Sequence, residues 1–260
     1  MNGLLRDKVV VVSGAGPGLG RATAVRCAAA GADVVLAARD AGRLAAIAAE
    51  VEALGRRALA VPTDITDAAA AEALAGRAVD AFGHVDALVN NAAAPTPPAD
   101  LMSLEADSVT AGLAVDVVAP LRLTQLFADR LAERGGSVVM VASSVIRESP
   151  RSLGVYKMAK TALTTLTQAL SSELGPRGVR VNTIAPGLIW ADAVKTHFAH
   201  AARERGVPVQ RVYDETAAGI DRRRLQEPEE VADAIVFLLS DLARAVTGHC
   251  LDVNGGQYHN

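Results

Sequence analysis

The chain has 260 residues, a length that fits one large α/β domain with ample material for a hydrophobic core. Half of the residues are hydrophobic but only 3% are aromatic, so the core must consist chiefly of Ala, Val and Leu. The formal net charge of −3 and the lack of a basic tract argue against nucleic acid or an anionic membrane as a partner. No apolar run reaches membrane-spanning length, and the N-terminus lacks a signal-peptide pattern. Cys27 and Cys250 lie far apart without ligand-spaced neighbours, so we expect free thiols in a cytoplasmic protein.

Apolar, strand-like runs alternate with alanine-rich helical patterns along most of the chain. The predicted strands cover residues 8–13, 33–38, 57–61, 86–90, 137–142, 179–184 and 248–253. The predicted helices cover residues 21–30, 41–54, 67–82, 105–133, 155–175 and 229–239. This rhythm predicts an α/β fold, a Rossmann-type doubly wound parallel sheet in a single domain over residues 1–260. Ligands bind such sheets at the carboxyl ends of the strands.

A glycine-rich turn joins the first predicted strand to the first predicted helix. It contains Ser13, Gly14, Gly16, Pro17, Gly18, Leu19 and Gly20. Glycines permit a tight turn and close backbone approach to a phosphate, and a helix N-terminus adds N–H donors and partial positive charge. No Gly-Lys-Ser/Thr follows, which argues against an ATP-binding P-loop. A dinucleotide pyrophosphate fits better, with a purely structural turn as the alternative.

The end of the second strand indicates which dinucleotide binds. An acidic residue at this place would hydrogen-bond the ribose 2′-hydroxyl of NAD, but the chain has Ala38 followed by Arg39. Arg39 could form charge-assisted bonds to a 2′-phosphate. We therefore expect NADP, with NAD a close alternative because Asp40 could pair with Arg39.

Tyr156 and Lys160 form the pair that most directly indicates catalysis. They are four residues apart and share one face of a predicted helix. A phenol is a poor base at neutral pH, but a neighbouring ammonium favours the phenolate. Such a pair can give a proton to a carbonyl oxygen or take one from an alcohol. The same spacing also occurs where an aromatic residue packs beside an exposed lysine.

The longest segment without a clear pattern covers residues 188–227, and a loop of that length is usually functional. We expect it to be irregular and to form a substrate lid. His197 and His200 are three residues apart, but no third ligand is evident, so we expect no metal site. The run from Arg222 to Arg224 could bind an acidic substrate, but we favour a solvated or salt-bridged turn.

Taken in order, these motifs resemble the short-chain dehydrogenase/reductase family over essentially the whole chain. The glycine turn, Asp64 after the third strand and Asn90-Asn91-Ala92 after the fourth carry the resemblance in the first half. In the second half it rests on Ser143 (thirteen residues before Tyr156), Tyr156, Lys160, Asn182 and Pro186-Gly187. The resemblance implies a dinucleotide cofactor, a small-molecule substrate and a homo-tetramer.

The resemblance also assigns roles to residues. Ser143 would orient the substrate oxygen, with Ser144 as the alternative, while Tyr156 would transfer the proton and Lys160 would assist it. The implied cofactor-binding residues are Ser13, Gly14, Gly16, Pro17, Gly18, Leu19, Gly20, Arg39, Asp64, Ile65, Asn91, Ala92, Tyr156, Lys160, Pro186, Gly187 and Ile189. The implied reaction is hydride transfer between NAD(P) and a secondary, possibly cyclic, alcohol or ketone. A 3-oxoacyl thioester reductase and a non-catalytic dinucleotide-binding protein are the alternatives.

The chain departs from the family pattern at three positions. Ala93 stands where glycine is usual, and Ala191 stands where a threonine often bonds the nicotinamide carboxamide. Asp116 occupies the place of an asparagine whose backbone holds a water near the lysine. We expect Asp116 to belong to the catalytic group and to offset part of the effect of Lys160 on Tyr156. The alternative is that its side chain caps or pairs locally.

Overall fold

The computed structural model describes residues 3–94 and 98–259 and contains one seven-stranded parallel sheet. The strands follow the order β3-β2-β1-β4-β5-β6-β7. Their bounds are β1 Val9–Ser13, β2 Asp33–Ala38, β3 Ala58–Pro62, β4 Ala87–Asn90, β5 Ser137–Val141, β6 Arg180–Pro186 and β7 Cys250–Val253. The order reverses between β1 and β4, where a doubly wound sheet opens its ligand crevice. The predicted Rossmann-type sheet is confirmed.

Helices cover both faces of the sheet. They are α1 Leu19–Ala29, α2 Ala41–Ala53, α3 Ala68–Phe82, α4 Ala106–Leu113, α5 Ala119–Glu133, α6 Gly154–Leu174, α7 Asp192–Arg205, α8 Val209–Ala217 and α9 Pro228–Leu239. The strand β1 shows how the two cores arise. Its Val10 and Val12 pack with α1, α2 and α9, whereas Val9 and Val11 pack with α3, α5 and α6. Alternate side chains of a strand point to opposite faces, so a strand buried on both faces is an unbroken apolar run.

The predicted helix 105–133 is interrupted by a π-helical turn at Ala114–Val118, between α4 and α5. Pro120 has no N–H to offer the carbonyl of Asp116 four residues earlier, so a regular α-helical hydrogen bond cannot form there. Asp116 lies within this turn and is buried. The interruption places its side chain inside the protein.

The expectation that no apolar segment has membrane-spanning length is wrong for one stretch. The 28 residues Ala106–Glu133 are long and apolar enough by length and composition alone. Leu123, Phe127 and Leu131 of this stretch are fully buried in the core beneath the sheet. Its apolar character therefore serves the packing of α5 against the strands.

The segment 188–227 is not irregular, contrary to the sequence-based expectation. It contains α7 and α8, joined around Gly206, which has a φ of +61°, and Pro208, the residue before α8. Trp190, Phe198 and Tyr213 pack together in a small core of their own, with ring centroids of Trp190 and Tyr213 4.8 Å apart. The segment is thus a helical hairpin closed by aromatic contacts.

Candidate active site

The glycine-rich turn packs so closely against the end of β4 that side chains are excluded at two positions. A Cβ atom on Gly14, whose φ is +74°, would lie 2.5 Å from the backbone of Ala92. A Cβ atom on Gly20 would lie 2.1 Å from the carbonyl oxygen of Gly14. The Asn91 side chain donates a hydrogen bond of 2.7 Å to that carbonyl, which ties the turn to the neighbouring strand end.

The remaining members of the turn leave room for a ligand. Gly16 has open space where a Cβ atom would stand, and Pro17 is exposed. The buried Ser13 hydroxyl has no hydrogen-bond partner in the described part of the chain. α1 begins at Leu19, and Gly18 before it provides no side-chain cap. The turn therefore offers a cradle and an uncapped helix N-terminus, which suit a pyrophosphate.

A cavity of about 550 Å³ opens beside this turn at the ends of β1 to β4. Its volume lies within the range typical of small-molecule and cofactor sites. It is lined by Gly14, Gly16, Ala37, Ala38, Arg39, Thr63, Asp64, Ile65, Thr66, Asn91, Ala92, Ala93, Ala94, Ala111, Ala114 and Val115. Seven of the predicted cofactor residues and Ala93 therefore share one cavity with residues that the sequence did not single out.

The charged groups at the rim of this cavity are Arg39 and Asp64. Asp64 accepts hydrogen bonds from the backbone and hydroxyl of Thr66 at 2.9 and 2.7 Å. These bonds, followed by the charge of Arg39, lower the pKa of the Asp64 carboxyl below its usual value. Asp40 does not pair with Arg39: it caps α2 and forms an ion pair with Arg43 at 3.3 Å. Arg39 itself is exposed.

Tyr156 and Lys160 lie one turn apart in α6, and Lys160 points into the protein. The Lys160 ammonium is 5.7 Å from the centre of the Tyr156 ring. It donates hydrogen bonds to Asp116 Oδ1 at 2.8 Å and to the carbonyl oxygen of Val141 at 3.0 Å. Asp116 therefore contacts the lysine directly, and the expectation that it might only cap or pair elsewhere is wrong.

Ser143 lies just beyond β5, at the start of a 3₁₀ turn. Its hydroxyl accepts a hydrogen bond of 3.2 Å from the N–H of Val145, and the side chain is half-buried. The alternative, Ser144, is only 6% exposed. Of the two serines, Ser143 is the more accessible from outside the protein.

The end of β6 forms the far side of the site. Pro186 closes that strand, and Gly187 donates its N–H to Val253 of β7. Ile189 forms an isolated β-bridge with Gln226, which anchors the start of the helical hairpin. A Cβ atom on Gly18 would lie 3.3 Å from the Cβ atom of Ala191, so residue 191 adjoins the glycine turn.

Several neighbours were missed from the sequence. Asn182, one of the residues that carry the family resemblance, binds the loop before β7: its amide donates to the carbonyl oxygen of Val246 and accepts from the N–H of His249. Ala94 and Val141 contact Asp116 and Lys160 through their backbones, which no side-chain pattern reveals. Small residues at 111, 114 and 115 recur at helical spacing, and this pattern could have indicated a helix face left open to a ligand.

The chain is similar to known proteins over almost its whole length. A family profile described as enoyl-(acyl carrier protein) reductase matches residues 14–258. The chain is 36% identical to an L-rhamnose 1-dehydrogenase (NAD(P)(+)) from Azotobacter vinelandii over 263 residues, covering 99% of both chains. It is 32% identical to a short-chain dehydrogenase/reductase from Aspergillus oryzae over 255 residues, covering 97% and 95%. The solved 7α-hydroxysteroid dehydrogenase with NADH and 7-oxo glycochenodeoxycholic acid has a TM-score of 0.89, 31% identity and coverages of 99% and 98%.

Proposed function

The chain belongs to the short-chain dehydrogenase/reductase family, and we propose that it is an NADP-dependent oxidoreductase of a secondary alcohol or ketone carried on a ring. The observation that carries this proposal is the placement of Tyr156 and Lys160 on one helix, beside Ser143 at the end of β5. Family membership supports an oxidoreductase that uses a nicotinamide cofactor. The roles below belong to the proposal.

The described residues fit a dinucleotide. The closely packed Gly14 and Gly20, the unpartnered Ser13 hydroxyl and the uncapped start of α1 suit the pyrophosphate. The cavity bounded by Arg39, Asp64 and Ile65 suits the adenosine half. Pro186, Gly187 and Ile189 would hold the nicotinamide half. Bound NAD(P) supplies hydride transfer, and the protein supplies position and electrostatics.

The side chains of the chain then handle the substrate oxygen and its proton. The Ser143 hydroxyl orients and polarises that oxygen, and the Tyr156 hydroxyl gives it a proton or, as phenolate, takes one from the alcohol. Lys160 holds the nicotinamide ribose and favours the phenolate through its charge. In alcohol oxidation Tyr156, as phenolate, would take the O–H proton, and bound NAD(P) would supply the acceptor for the carbon-bound hydrogen and its electron pair.

NADP is proposed over NAD because of the charges near the end of β2. Asp40 is occupied by Arg43 and by capping α2, so it does not neutralise Arg39. Ala38 offers no acceptor to a ribose diol, whereas Arg39 can bind a 2′-phosphate. The relatives support nicotinamide cofactors of both kinds, since one is described for NAD(P)(+) and one was solved with NADH.

The ring-borne substrate is inferred from the relatives and from the helical hairpin. The two relatives named above act on a sugar and on a steroid, both of them ring compounds. We propose that residues 188–227 form the substrate lid, with Trp190 as the aromatic surface nearest the nicotinamide segment. Packing against Phe198 and Tyr213 keeps that surface rigid. A cytoplasmic location and a homo-tetramer complete the proposal.

The test is turnover of purified protein against cyclic and acyclic secondary alcohols and ketones, with NADPH and NADH. We expect turnover of a cyclic substrate with NADPH. Binding of the cofactor without turnover across the panel would instead support the non-catalytic alternative. The family profile's description favours a second candidate, reduction of an acyl thioester. A higher kcat/KM for a 3-oxoacyl thioester than for every cyclic ketone would establish that candidate.

A further inference from the structure

Asp116 and Lys160 form an ion pair that is almost completely buried. Asp116 is 1% exposed and Lys160 is 2% exposed, and their charged atoms are 2.8 Å apart. Burying a charge is costly unless it is paired and hydrogen-bonded. Each of these two groups therefore depends on the other for its charged form.

The hydrogen bonds of the pair leave one position open. An ammonium has three donors, and Lys160 uses one on Asp116 Oδ1 and one on the carbonyl oxygen of Val141. The other carboxylate oxygen of Asp116 accepts from the N–H of Ala94 at 3.3 Å, just beyond β4. The pair is thus fixed to the ends of two strands, and within residues 3–94 and 98–259 one lysine donor remains for a ligand.

The charges of the pair partly cancel at short range. A lysine paired with a neutral amide would present its full positive charge to the nicotinamide end of the site, whereas the carboxylate of Asp116 offsets part of the charge of Lys160. The oxidised nicotinamide ring is a cation and the reduced ring is neutral. A compensating carboxylate therefore favours the oxidised ring relative to the reduced one.

We propose that Asp116 is a positioning residue that fixes the Lys160 ammonium by an ion pair and makes the site favour oxidised over reduced cofactor. This inference rests on the cofactor binding in the proposed function. A purely structural reading explains the same contacts, because a carboxylate can accept from both Lys160 and Ala94 while an amide has only one acceptor oxygen. Our proposal predicts that removing the charge of Asp116 changes the ratio of the NADP⁺ and NADPH affinities, whereas a purely structural role leaves that ratio unchanged.

The experiment measures dissociation constants of NADP⁺ and NADPH by isothermal titration calorimetry for the parent and Asp116→Asn. The substitution removes the negative charge and keeps the shape. We expect the ratio of the NADP⁺ to the NADPH dissociation constant to rise about three- to tenfold, as one partly screened charge at this range would produce. The control is Asp86→Asn, a buried carboxylate bound to Arg134 and Val9 at the opposite end of β4. Its ratio should stay within about twofold of the parent's.

An unchanged ratio in Asp116→Asn overturns the inference, as does an equal loss of both affinities, which a structural role would cause. If Asp116→Asn does not fold, Asp116→Ser removes the same charge with a smaller side chain and gives the same comparison. Failure of the parent to bind either nucleotide overturns the proposed function as well. Binding without turnover contradicts only the proposed function, because the affinity ratio can still be measured.

Discussion

The Lys160 ammonium lies 5.7 Å from the centre of the Tyr156 ring, one turn further along the same helix. At this distance a positive charge acts on the phenol without covering its hydroxyl. The ring is half-buried, so it is held by the helix while remaining accessible. This relationship supports Tyr156 as the proposed proton-transfer residue.

Replacing Tyr156 with Phe should reduce turnover by about 10²–10⁴-fold, because the ring stays and the proton donor is lost. Dinucleotide binding should persist, since the glycine turn is unchanged. Steady-state kinetics and a binding titration measure the two effects separately. Tyr213→Phe is the matched control, because it removes a phenol from the lid. Turnover of Tyr156→Phe within about threefold of the parent would contradict the assignment.

Replacing Arg39 with Ala should lower kcat/KM for NADPH by about ten- to 150-fold, the effect of losing a hydrogen bond to a charged group. The value for NADH should change little, because Arg39 has no phosphate to bind there. Arg43→Ala removes a nearby guanidinium that already pairs with Asp40, and this variant should keep the preference for NADPH over NADH. A parent enzyme that strongly prefers NADH would refute the proposed cofactor choice.

Replacing Asp116 with Asn should move the basic limb of the pH profile for alcohol oxidation to lower pH. Asp116 contacts Lys160 directly, and its negative charge opposes formation of a phenolate at Tyr156. The upper limit is about two pH units, from a charge at about 6 Å with an effective dielectric near 20. Activity should be kept or improved. An identical profile in parent and variant would show that Asp116 does not influence the proton transfer.

Glu230 should contribute stability that is lost in acid. Hydrogen bonds from Arg224, helped by the backbone of Glu227 and by Arg222, lower the pKa of Glu230 from 4.5 to about 2. A carboxyl whose pKa is lower in the folded protein than in the unfolded chain stabilises the fold at any pH above its unfolded-chain pKa. This contribution disappears as the pH falls towards 2. Glu230→Gln should lower the free energy of unfolding at pH 7 by about 1 kcal/mol, because the side chain is partly exposed.

Urea unfolding between pH 7 and pH 2.5 provides the measurement for Glu230. The difference in the free energy of unfolding between the parent and Glu230→Gln should shrink as the pH falls below about 4.5. Glutamine can still accept the backbone bond of the capping box, so the comparison isolates the charge. Glu229→Gln removes an exposed neighbouring charge and should show no such trend. A difference that stays constant with pH would exclude a role for ionisation.

The exposed apolar side chains of the α4–α6 region predict self-association. Val118 is 48% exposed and Met158 is 45% exposed, so in a monomer both side chains would be in contact with solvent. Sedimentation at micromolar protein should give a species well above the 26.8 kDa chain mass, expected to be a tetramer. Val118→Asp should weaken the assembly, whereas Leu54→Asp, just after the end of α2 and at 47% exposure, should not. A single species at the chain mass would contradict this prediction.

The sheet could be predicted because its physical signals are local. β2 was predicted at its observed bounds, since Val34 to Ala37 are buried on both faces and read as one apolar run. The glycine turn was equally visible, because Gly14 and Gly20 are required by close backbone contacts. Such features depend on residues that are neighbours in sequence.

The parts that could not be predicted depend on contacts between distant residues. α8 has only nine residues, Val209–Ala217, so its apolar side chains recur over too few turns for the helical period to be recognised with certainty. Whether Asp40 forms an ion pair with Arg39 or with Arg43 depends on the directions of their side chains at the start of α2. Asp116 and Lys160 are 44 positions apart: the family resemblance indicated that they lie near each other, but their direct ion pair required the three-dimensional structure.

The π-helical turn at Ala114–Val118 separates what holds the fold from what forms the site. Hydrogen bonds of a π-helix join residues five apart, one more than in an α-helix, so the turn holds one extra residue. Deleting one residue there restores an α-helical turn and keeps Leu123, Phe127 and Leu131 packed on the sheet, but it moves Asp116 relative to Lys160. We therefore expect a single-residue deletion here to permit folding while disturbing the ion pair, whereas Val118→Ala should leave both intact.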